Sequence, residues 1–242
     1  MEGAWTRMSN TAIVTGASSG IGLAVSKTLC KLGYEVFGIG RNFHVDYEAA
    51  LLTDSFHTII CDLLDTEKLC TAVKKIAAQK CVTVLVNNAG TAYYGLHEEL
   101  NAKKIQQMVR TNLEAPMILT NLLLRDLKKN KGYVINISSV TAGSSNPHGC
   151  AYGATKAGLS SFSRSLFDEA RKYGVKVVTI SPDMTKTNLY RNANFKEGEE
   201  EESYLLPEEV AGAVEYVLSQ REGVVVSDIT LKPQIHRITR KS

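Results

Sequence analysis

The chain has 242 residues, of which 44% are hydrophobic and 22% are charged, so it can bury a core and is not globally disordered. Its net charge of only +3 does not favour the concentrated basic surface of a nucleic-acid-binding protein. Five cysteines without a C-x-x-C pair indicate neither a disulfide framework nor a zinc site, and they suit a reducing compartment.

Membrane insertion and export are not indicated either. No apolar run approaches the roughly 18 residues of a membrane-spanning helix, and residues 1–10 lack the apolar core of a signal peptide. We therefore expect a cytoplasmic protein with neither a membrane nor a nucleic-acid partner.

Short runs rich in valine and isoleucine alternate along the chain with longer helical patterns. Strands are predicted at residues 11–14, 35–39, 58–61, 82–86, 133–137, 175–180 and 224–231. Helices are predicted at residues 21–32, 66–79, 102–129, 152–173 and 208–219. Because proline disrupts a helix interior, Pro116 should kink or split the third of these helices.

Alternating strands and helices predict parallel βαβ units. Right-handed crossovers then give an α/β protein with a doubly wound parallel sheet, the Rossmann fold, with helices on both faces. We expect one domain over residues 1–242, with residues 1–10 as a candidate disordered segment and about 188–206 as a substrate lid.

A glycine-rich turn lies between the first predicted strand and the first predicted helix. Its sequence at residues 15–22 is TGASSGIG. Glycines allow a tight turn and a close approach of the backbone to a ligand. The unpaired N–H groups at the start of the following helix attract a pyrophosphate, so this element predicts a dinucleotide site.

Three further side chains suggest proton transfer. Tyr152 and Lys156 are spaced i, i+4 on a predicted helix, so they lie on one face. An ammonium favours the phenolate, and we therefore expect Lys156 to lower the Tyr152 pKa from about 10 and fit it for acid/base work on an alcohol oxygen. Ser139 follows the fifth strand, at the edge where open α/β sheets bind ligands, and its hydroxyl suits the same oxygen.

Taken together, these motifs resemble those of the short-chain dehydrogenase/reductase family. The Gly-x-x-x-Gly-x-Gly turn is followed by Asn-Asn-Ala-Gly at residues 87–90, after the fourth strand. Asn112, Ser139, Tyr152 and Lys156 match the family's catalytic tetrad in type, order and spacing. The resemblance runs from about residue 11 to residue 187.

The resemblance implies a role for each member of the tetrad. Tyr152 would be the general acid/base, and Ser139 would orient the substrate oxygen; the thirteen-residue step to the tyrosine selects it over Ser138. Lys156 would hydrogen-bond the nicotinamide ribose and tune Tyr152, and Asn112 would hold a water of the proton relay. The implied reaction is hydride transfer between nicotinamide C4 and the carbon of a carbonyl/secondary-alcohol pair, with carbonyl reduction as the expected direction.

The end of the second strand predicts which dinucleotide is bound. Gly40 stands where many NAD-using members of the family have Asp, and it is followed by Arg41, whose guanidinium suits a phosphate. We therefore expect NADP(H) rather than NAD(H), and no metal. The expected cofactor-binding residues are Gly16, Ser18, Ser19, Gly20, Ile21, Gly22, Arg41, Asp62, Leu63, Asn88, Ala89, Gly90, Tyr152, Lys156, Pro182, Thr185 and Thr187.

One motif departs from the family pattern, because Asp183 follows Pro182 where the family usually has glycine. The resemblance therefore predicts neither the backbone conformation at this position nor a substrate contact there. The candidate substrate-facing residues, for each of which simple packing is the alternative, are Tyr93, Tyr94, His148, Cys150, Tyr190, Phe195 and Tyr204.

Other functions also stay open. These are a non-catalytic NADP(H)-binding regulator, an NAD-dependent alcohol or hydroxysteroid dehydrogenase, and a sugar-nucleotide epimerase or dehydratase of the longer extended branch. The resemblance further implies a homodimer or homotetramer formed through the two long helices. The expected substrate is a small carbonyl or alcohol compound, with 3-oxo and 3-hydroxy compounds as the first candidates.

Overall fold

The computed structural model describes residues 10–43 and 54–241, so residues 1–9 of the candidate disordered segment lie outside the described part of the chain. The strands are β1 (Thr11–Thr15), β2 (Glu35–Gly40), β3 (Phe56–Ile60), β4 (Val82–Asn87), β5 (Tyr133–Ile137), β6 (Lys176–Pro182), β7 (Phe195–Glu197), β8 (Asp228–Leu231) and β9 (Ile238–Arg240). The α-helices are α1 (Gly20–Lys31), α2 (Thr66–Gln79), α3 (Ala102–Val109), α4 (Ala115–Asn130), α5 (Cys150–Ala170) and α6 (Pro207–Leu218).

Seven of these strands form one parallel sheet in the order β3-β2-β1-β4-β5-β6-β8. The strand order reverses at β1, because β2 and β3 extend the sheet on one side of it and β4 follows on the other. Such a reversal opens a crevice at the carboxyl ends of the strands. The predicted doubly wound Rossmann fold is therefore confirmed.

The core has two layers, one on each face of the sheet. All five residues of β1 are buried, and successive side chains point to opposite faces. Ala12 and Val14 pack in the layer that includes α1 and α6, whereas Ile13 packs in the layer that includes α2, α4 and α5. Burial on both faces is the reason that the strand sequences are almost continuously apolar.

The helix predicted over residues 102–129 is split, as Pro116 indicates. The break lies just before the proline, where residues Arg110–Glu114 form a π turn between α3 and α4. Proline has no N–H to donate, so Pro116 cannot make the α-helical hydrogen bond to the Asn112 carbonyl. The regular hydrogen-bond pattern is therefore interrupted at Asn112, one of the predicted site residues.

A second, two-stranded antiparallel sheet pairs β7 with β9, and neither strand is predicted from the sequence. Three residues in each are too few to show a clear alternation of apolar and polar side chains. Within the described residues, no helix is long and apolar enough to cross a membrane.

Candidate active site

A cleft at the carboxyl ends of the parallel strands brings most of the predicted site residues together. Among the predicted catalytic and cofactor-binding residues, Gly22 and Asn112 do not line it. Those that line it are Gly16, Ser18, Ser19, Gly20, Ile21, Arg41, Asp62, Leu63, Asn88, Ala89, Gly90, Ser139, Tyr152, Lys156, Pro182, Thr185 and Thr187.

The glycine-rich turn forms one end of the cleft. Gly16 and Gly20 have φ values of +67° and +51°, in the left-handed region that favours glycine. A Cβ on Gly22 would lie 2.2 Å from the Gly16 carbonyl oxygen, so the absence of a side chain lets α1 start directly against the turn. Gly22 therefore shapes the turn from behind.

The start of α1 is suited to an anion. Its N-cap residue Ser19 makes no side-chain capping hydrogen bond, so the first N–H groups of the twelve-residue helix are not satisfied by that side chain. These donors and the positive end of the helix dipole adjoin the cleft. The residues present therefore fit a dinucleotide pyrophosphate.

Arg41 lies on the same side of the cleft, at the end of β2. Its side chain is exposed and makes no ion pair with any residue of the described ranges. A Cβ on the neighbouring Gly40 would lie 3.0 Å from the Phe43 ring and 3.1 Å from the Ser18 Cβ, so an aspartate there would be crowded. This edge of the cleft fits a phosphate better than an unmodified ribose.

A contact missed by the sequence analysis joins the turn to the residues that follow β4. The Thr15 hydroxyl accepts hydrogen bonds of 3.0 Å from the backbone N–H groups of both Asn88 and Ala89. The Asn88 side chain in turn donates to the carbonyl oxygen of Thr15 at 2.9 Å. The loops that follow β1 and β4 are thus held together, and Asn88 has a positioning role at the cleft wall.

Tyr152, Lys156 and Ser139 meet at the other end of the cleft. Tyr152 is 4% exposed, and Ser139 is the side chain whose interaction with it favours the phenolate. The Lys156 ammonium lies 5.8 Å from the centre of the Tyr152 ring and donates to the Ile137 carbonyl at 2.7 Å. Ser138 is directed instead toward Ser160, with 2.8 Å between the two hydroxyl oxygens.

Burial dominates the proton affinities of this group. It raises the pKa of the Tyr152 phenol to about 12, and the interaction with Ser139 opposes that rise. Burial lowers the pKa of the Lys156 ammonium to about 8. The expectation that Lys156 lowers the Tyr152 pKa is therefore wrong: the pKa is raised, and the contribution that opposes the rise comes from Ser139.

Asn112 lies in the π turn behind the cleft and is 1% exposed. Its side-chain N–H groups donate to the Thr91 carbonyl at 2.9 Å and to the Thr155 hydroxyl at 3.1 Å. Its side-chain oxygen accepts from the Thr91 N–H at 2.9 Å. This side chain therefore ties the loop after β4 to α5, which presents Tyr152.

An aromatic cluster, made of Tyr94, Tyr190 and Phe195, adjoins Tyr152 through Tyr94; of the three, Tyr190 lines the cleft and Tyr94 and Phe195 pack behind it. The ring centre of Tyr94 lies 6.0 Å from that of Tyr152, 6.2 Å from that of Tyr190 and 4.9 Å from that of Phe195. Tyr190 and Phe195 are 5.6 Å apart. Burial raises the pKa values of Tyr94 and Tyr190, so both phenols stay neutral at physiological pH.

The other candidate substrate-facing residues lie differently. Tyr93 lines the cleft, and its hydroxyl donates to the Gln107 side-chain oxygen at 2.8 Å. His148, Cys150 and Tyr204 do not line it. His148 instead accepts a backbone hydrogen bond from Gly95, and Tyr204 lies under the Lys186 ammonium, 4.9 Å from its ring centre.

Asp183 also lines the cleft, and position 183 does not require a glycine. Outside glycine, the described residues have a positive φ only at Lys131 and His148. One Asp183 carboxylate oxygen accepts the Met184 N–H at 2.8 Å, and the Asp183 carbonyl accepts from the Thr185 hydroxyl at 2.9 Å. The departure from Pro-Gly therefore leaves the backbone unstrained and adds a carboxylate to the cleft.

Comparisons with known proteins agree with this geometry. Residues 10–198 match the family model described as short chain dehydrogenase. The serine 3-dehydrogenase of Agrobacterium fabrum is 34% identical over 237 residues, covering 93% of this chain and 94% of that protein. The 3-oxoacyl-[acyl-carrier-protein] reductase of Rickettsia bellii is 31% identical over 225 residues, covering 89% and 91%.

A solved structure extends the likeness to the whole fold. The alcohol dehydrogenase of the archaeon Thermococcus sibiricus, in complex with 5-hydroxy-NADP, superposes with a TM-score of 0.83 at 27% identity. The match covers 94% of this chain and 98% of that one. The chain therefore belongs to the short-chain dehydrogenase family, whose members are oxidoreductases acting on a carbonyl or alcohol group.

Proposed function

We propose that this protein is an NADPH-dependent reductase that converts a small carbonyl compound to a secondary alcohol, with Tyr152 as the proton donor. The observation that carries the proposal is the cleft itself. It joins the start of α1, which has no side-chain cap, and Arg41, which makes no ion pair with the described residues, to a buried group of Tyr152, Ser139 and Lys156. The complex of the Thermococcus sibiricus relative with an NADP derivative supports the choice of cofactor.

Different residues of the cleft bind different parts of the dinucleotide. The turn at residues 15–22 and the first N–H groups of α1 hold the pyrophosphate, and Arg41 holds the 2′-phosphate. Asp62 and Leu63, which line the cleft beyond β3, contact the adenine. Pro182, Thr185 and Thr187 line the cleft as well and are assigned to the nicotinamide end, with Thr187 lying next to Gly20 of the glycine-rich turn.

Bound NADPH supplies the hydride for the carbonyl carbon. Ser139 and Tyr152 hydrogen-bond the carbonyl oxygen, and the Tyr152 phenol transfers its proton to that oxygen as negative charge develops. Since the Tyr152 pKa is about 12, the phenol is protonated and ready to act as an acid at neutral pH. The Lys156 ammonium stabilises the phenolate that remains.

The proton lost by Tyr152 has to be replaced from solvent. We assign Asn112 to this relay as a positioning residue, because its side chain is fully engaged with Thr91 and Thr155. Its main-chain carbonyl, which Pro116 cannot bond, is the acceptor we assign to the relay water.

The substrate class we propose is a small 3-oxo or 3-hydroxy compound. Two relatives over 30% identical are named for chemistry at a third carbon, a serine 3-dehydrogenase and a 3-oxoacyl-[acyl-carrier-protein] reductase. The ring of Tyr190, backed by Tyr94 and Phe195, gives the cleft an apolar surface that suits the carbon chain of such a compound.

The test is a screen for NADPH consumption by the purified protein. The consumption is measured as the loss of absorbance at the nicotinamide band. The panel contains 3-oxoacyl thioesters and esters, diketones, quinones, steroids and sugars. We expect turnover with at least one 3-oxo compound and much slower turnover with NADH. Tight NADPH binding without turnover of any compound would contradict the proposal and point to a cofactor-binding regulator.

A further inference from the structure

The aromatic cluster beside Tyr152 is built partly from a segment remote from the catalytic elements. Tyr94 belongs to the loop after β4, but Tyr190 and Phe195 both lie in residues 188–206, the lid segment. Tyr190 lines the cleft and Phe195 packs against it, so the contacts that hold these two rings determine where Tyr190 stands in the cleft.

The two ends of the lid segment are anchored close together. Thr187 caps the short 3₁₀ helix Asn188–Asn192 by accepting a hydrogen bond from the Leu189 N–H. At the other end, Leu205 forms a parallel bridge with Thr185 and donates its N–H to the Met184 carbonyl at 2.7 Å. The lid segment is thus a loop with a closed base, and its middle needs separate support.

Residues 234–241, the C-terminal strap, provide that support through main-chain pairing. β9 of the strap runs antiparallel to β7 of the lid segment, and Arg240 lies opposite Phe195 in the register. The Ile235 N–H donates to the Glu202 carbonyl at 2.8 Å, and the Lys241 N–H donates to the Asn194 carbonyl at 2.9 Å. The pairing of β7 with β9 therefore holds the backbone of Phe195 in place.

Lys241 reaches the second aromatic residue directly. Its ammonium donates to the Tyr190 carbonyl at 2.6 Å and lies 3.5 Å from the Arg191 carbonyl. Both carbonyls belong to the short helix Asn188–Asn192, and a cation near the last carbonyls of a helical turn is favourably placed. The strap thus fixes Tyr190 by this contact and Phe195 by strand pairing.

Charge complementarity favours the same arrangement. The lid segment contains acidic residues at positions 197 and 199–202, whereas the strap contains Arg237, Arg240 and Lys241. Arg237 pairs with Glu200, although both side chains are exposed, so this ion pair contributes less than the main-chain bonds.

We propose that the C-terminal strap holds Tyr190 in place in the cleft, with Lys241 as its positioning residue and Phe195 as the ring that supports it from behind. The inference rests on the proposed function, which identifies the cleft beside Tyr152 as the site where the substrate binds. The hydrogen bonds and strand pairs of the strap with the described residues reach neither the glycine-rich turn nor Arg41, so we expect it to affect substrate binding more than cofactor binding.

The test compares Lys241→Met with the parent protein and with Lys232→Met. Lys232 is an exposed lysine just before the strap and makes no hydrogen bond or ion pair with the described residues, so it is the matched control. With the best carbonyl substrate of the screen, we expect Lys241→Met to raise KM about fivefold or more while kcat and the NADPH Kd change less than about twofold. Lys241→Arg should restore most of the substrate affinity, because it restores a cationic donor.

Limited digestion with a glutamate-specific endopeptidase gives a second readout that needs no substrate. The acidic positions of the lid segment are its cleavage sites, and a released lid should be cut faster in Lys241→Met and in a chain shortened by residues 234–242. Lys232→Met should be cut at the parent rate.

The outcomes separate the two proposals. The proposed role of the strap would be overturned if KM and the digestion rate were unchanged in Lys241→Met and in the shortened chain. Absence of turnover in the parent would overturn the proposed function instead, while the digestion rates would still decide whether the strap holds the lid.

Discussion

Tyr152 and Lys156 are 4% and 3% exposed, and burial moves their pKa values in opposite directions. Loss of water penalises the charged form, which is the phenolate for Tyr152 and the ammonium for Lys156. The i, i+4 spacing predicts that the two side chains are neighbours but contains no information about their desolvation. For this reason the sequence identifies the pair but misjudges the direction in which the Tyr152 pKa moves.

The Lys156 pKa of about 8 predicts the pH dependence of carbonyl reduction. Below this value Lys156 is cationic and stabilises the Tyr152 phenolate; as the pH rises through about 8 the cation is lost, so kcat/KM for the carbonyl substrate should fall. The measurement is kcat/KM against pH at saturating NADPH, with Lys156→Met as the comparison. A kcat/KM that rises through this range, or a Lys156→Met variant with parental activity, would contradict the role of Lys156.

Arg41 predicts the cofactor preference. Removing a charge-assisted contact to phosphate costs roughly 1.5–3 kcal/mol, so Arg41→Gln should weaken NADPH binding at least about tenfold. NADH has no 2′-phosphate, and its affinity should stay the same. Fluorescence titrations of both nucleotides give the answer, with Arg221→Gln, an exposed arginine outside the cleft, as the control. Equal losses for NADPH and NADH would show that Arg41 does not bind the 2′-phosphate.

The elements around the site differ in how well they can be predicted from their sequences. β5 and α2 have the predicted bounds, because their apolar residues recur with the period of the structure they form. The π turn at Arg110–Glu114 is harder to foresee: Pro116 predicts a break, but its position depends on packing against α5 and the loop at Thr91. β9 is missed altogether, because its pairing partner is a lid strand of only three residues.

The junction of the glycine-rich turn and α1 depends on Gly22. A Cβ there would lie 2.2 Å from the Gly16 carbonyl and 2.4 Å from the Asn88 side-chain nitrogen, so Gly22→Ala must distort the turn. Overpacking of this kind costs about 1–3 kcal/mol, and NADPH binding should be lost as well. Gly212→Ala in α6 is the matched control, because a Cβ there meets nothing within 4 Å and alanine favours a helix by about 1 kcal/mol.

Thermal unfolding and NADPH titration of both variants test this prediction. The melting temperature should fall for Gly22→Ala and stay level or rise for Gly212→Ala. If Gly22→Ala melts and binds NADPH like the parent, the close approach of α1 to the turn is not what shapes the site.

For the whole molecule, the order of the motifs along the chain determines where they meet in space. In a parallel sheet, residues that follow different strands are brought to one edge, so Gly16, Asn88, Ser139 and Pro182 are predicted to be neighbours although up to 166 positions separate them. The position of Tyr190 in the cleft is not predictable in this way. It depends on loop conformations and on the strap, where individual hydrogen bonds rather than periodic patterns decide the structure.

The account as a whole depends on Tyr152 as the proton donor of an NADPH-dependent carbonyl reduction. The most direct test compares NADPH oxidation by the parent and by Tyr152→Phe with the same 3-oxo substrate, alongside an NADPH titration of both proteins. General acid catalysis contributes about 10²–10⁴-fold, so the account predicts a loss of that size in kcat with NADPH affinity changed less than about threefold. A Tyr152→Phe protein that turns over within a few-fold of the parent would contradict it.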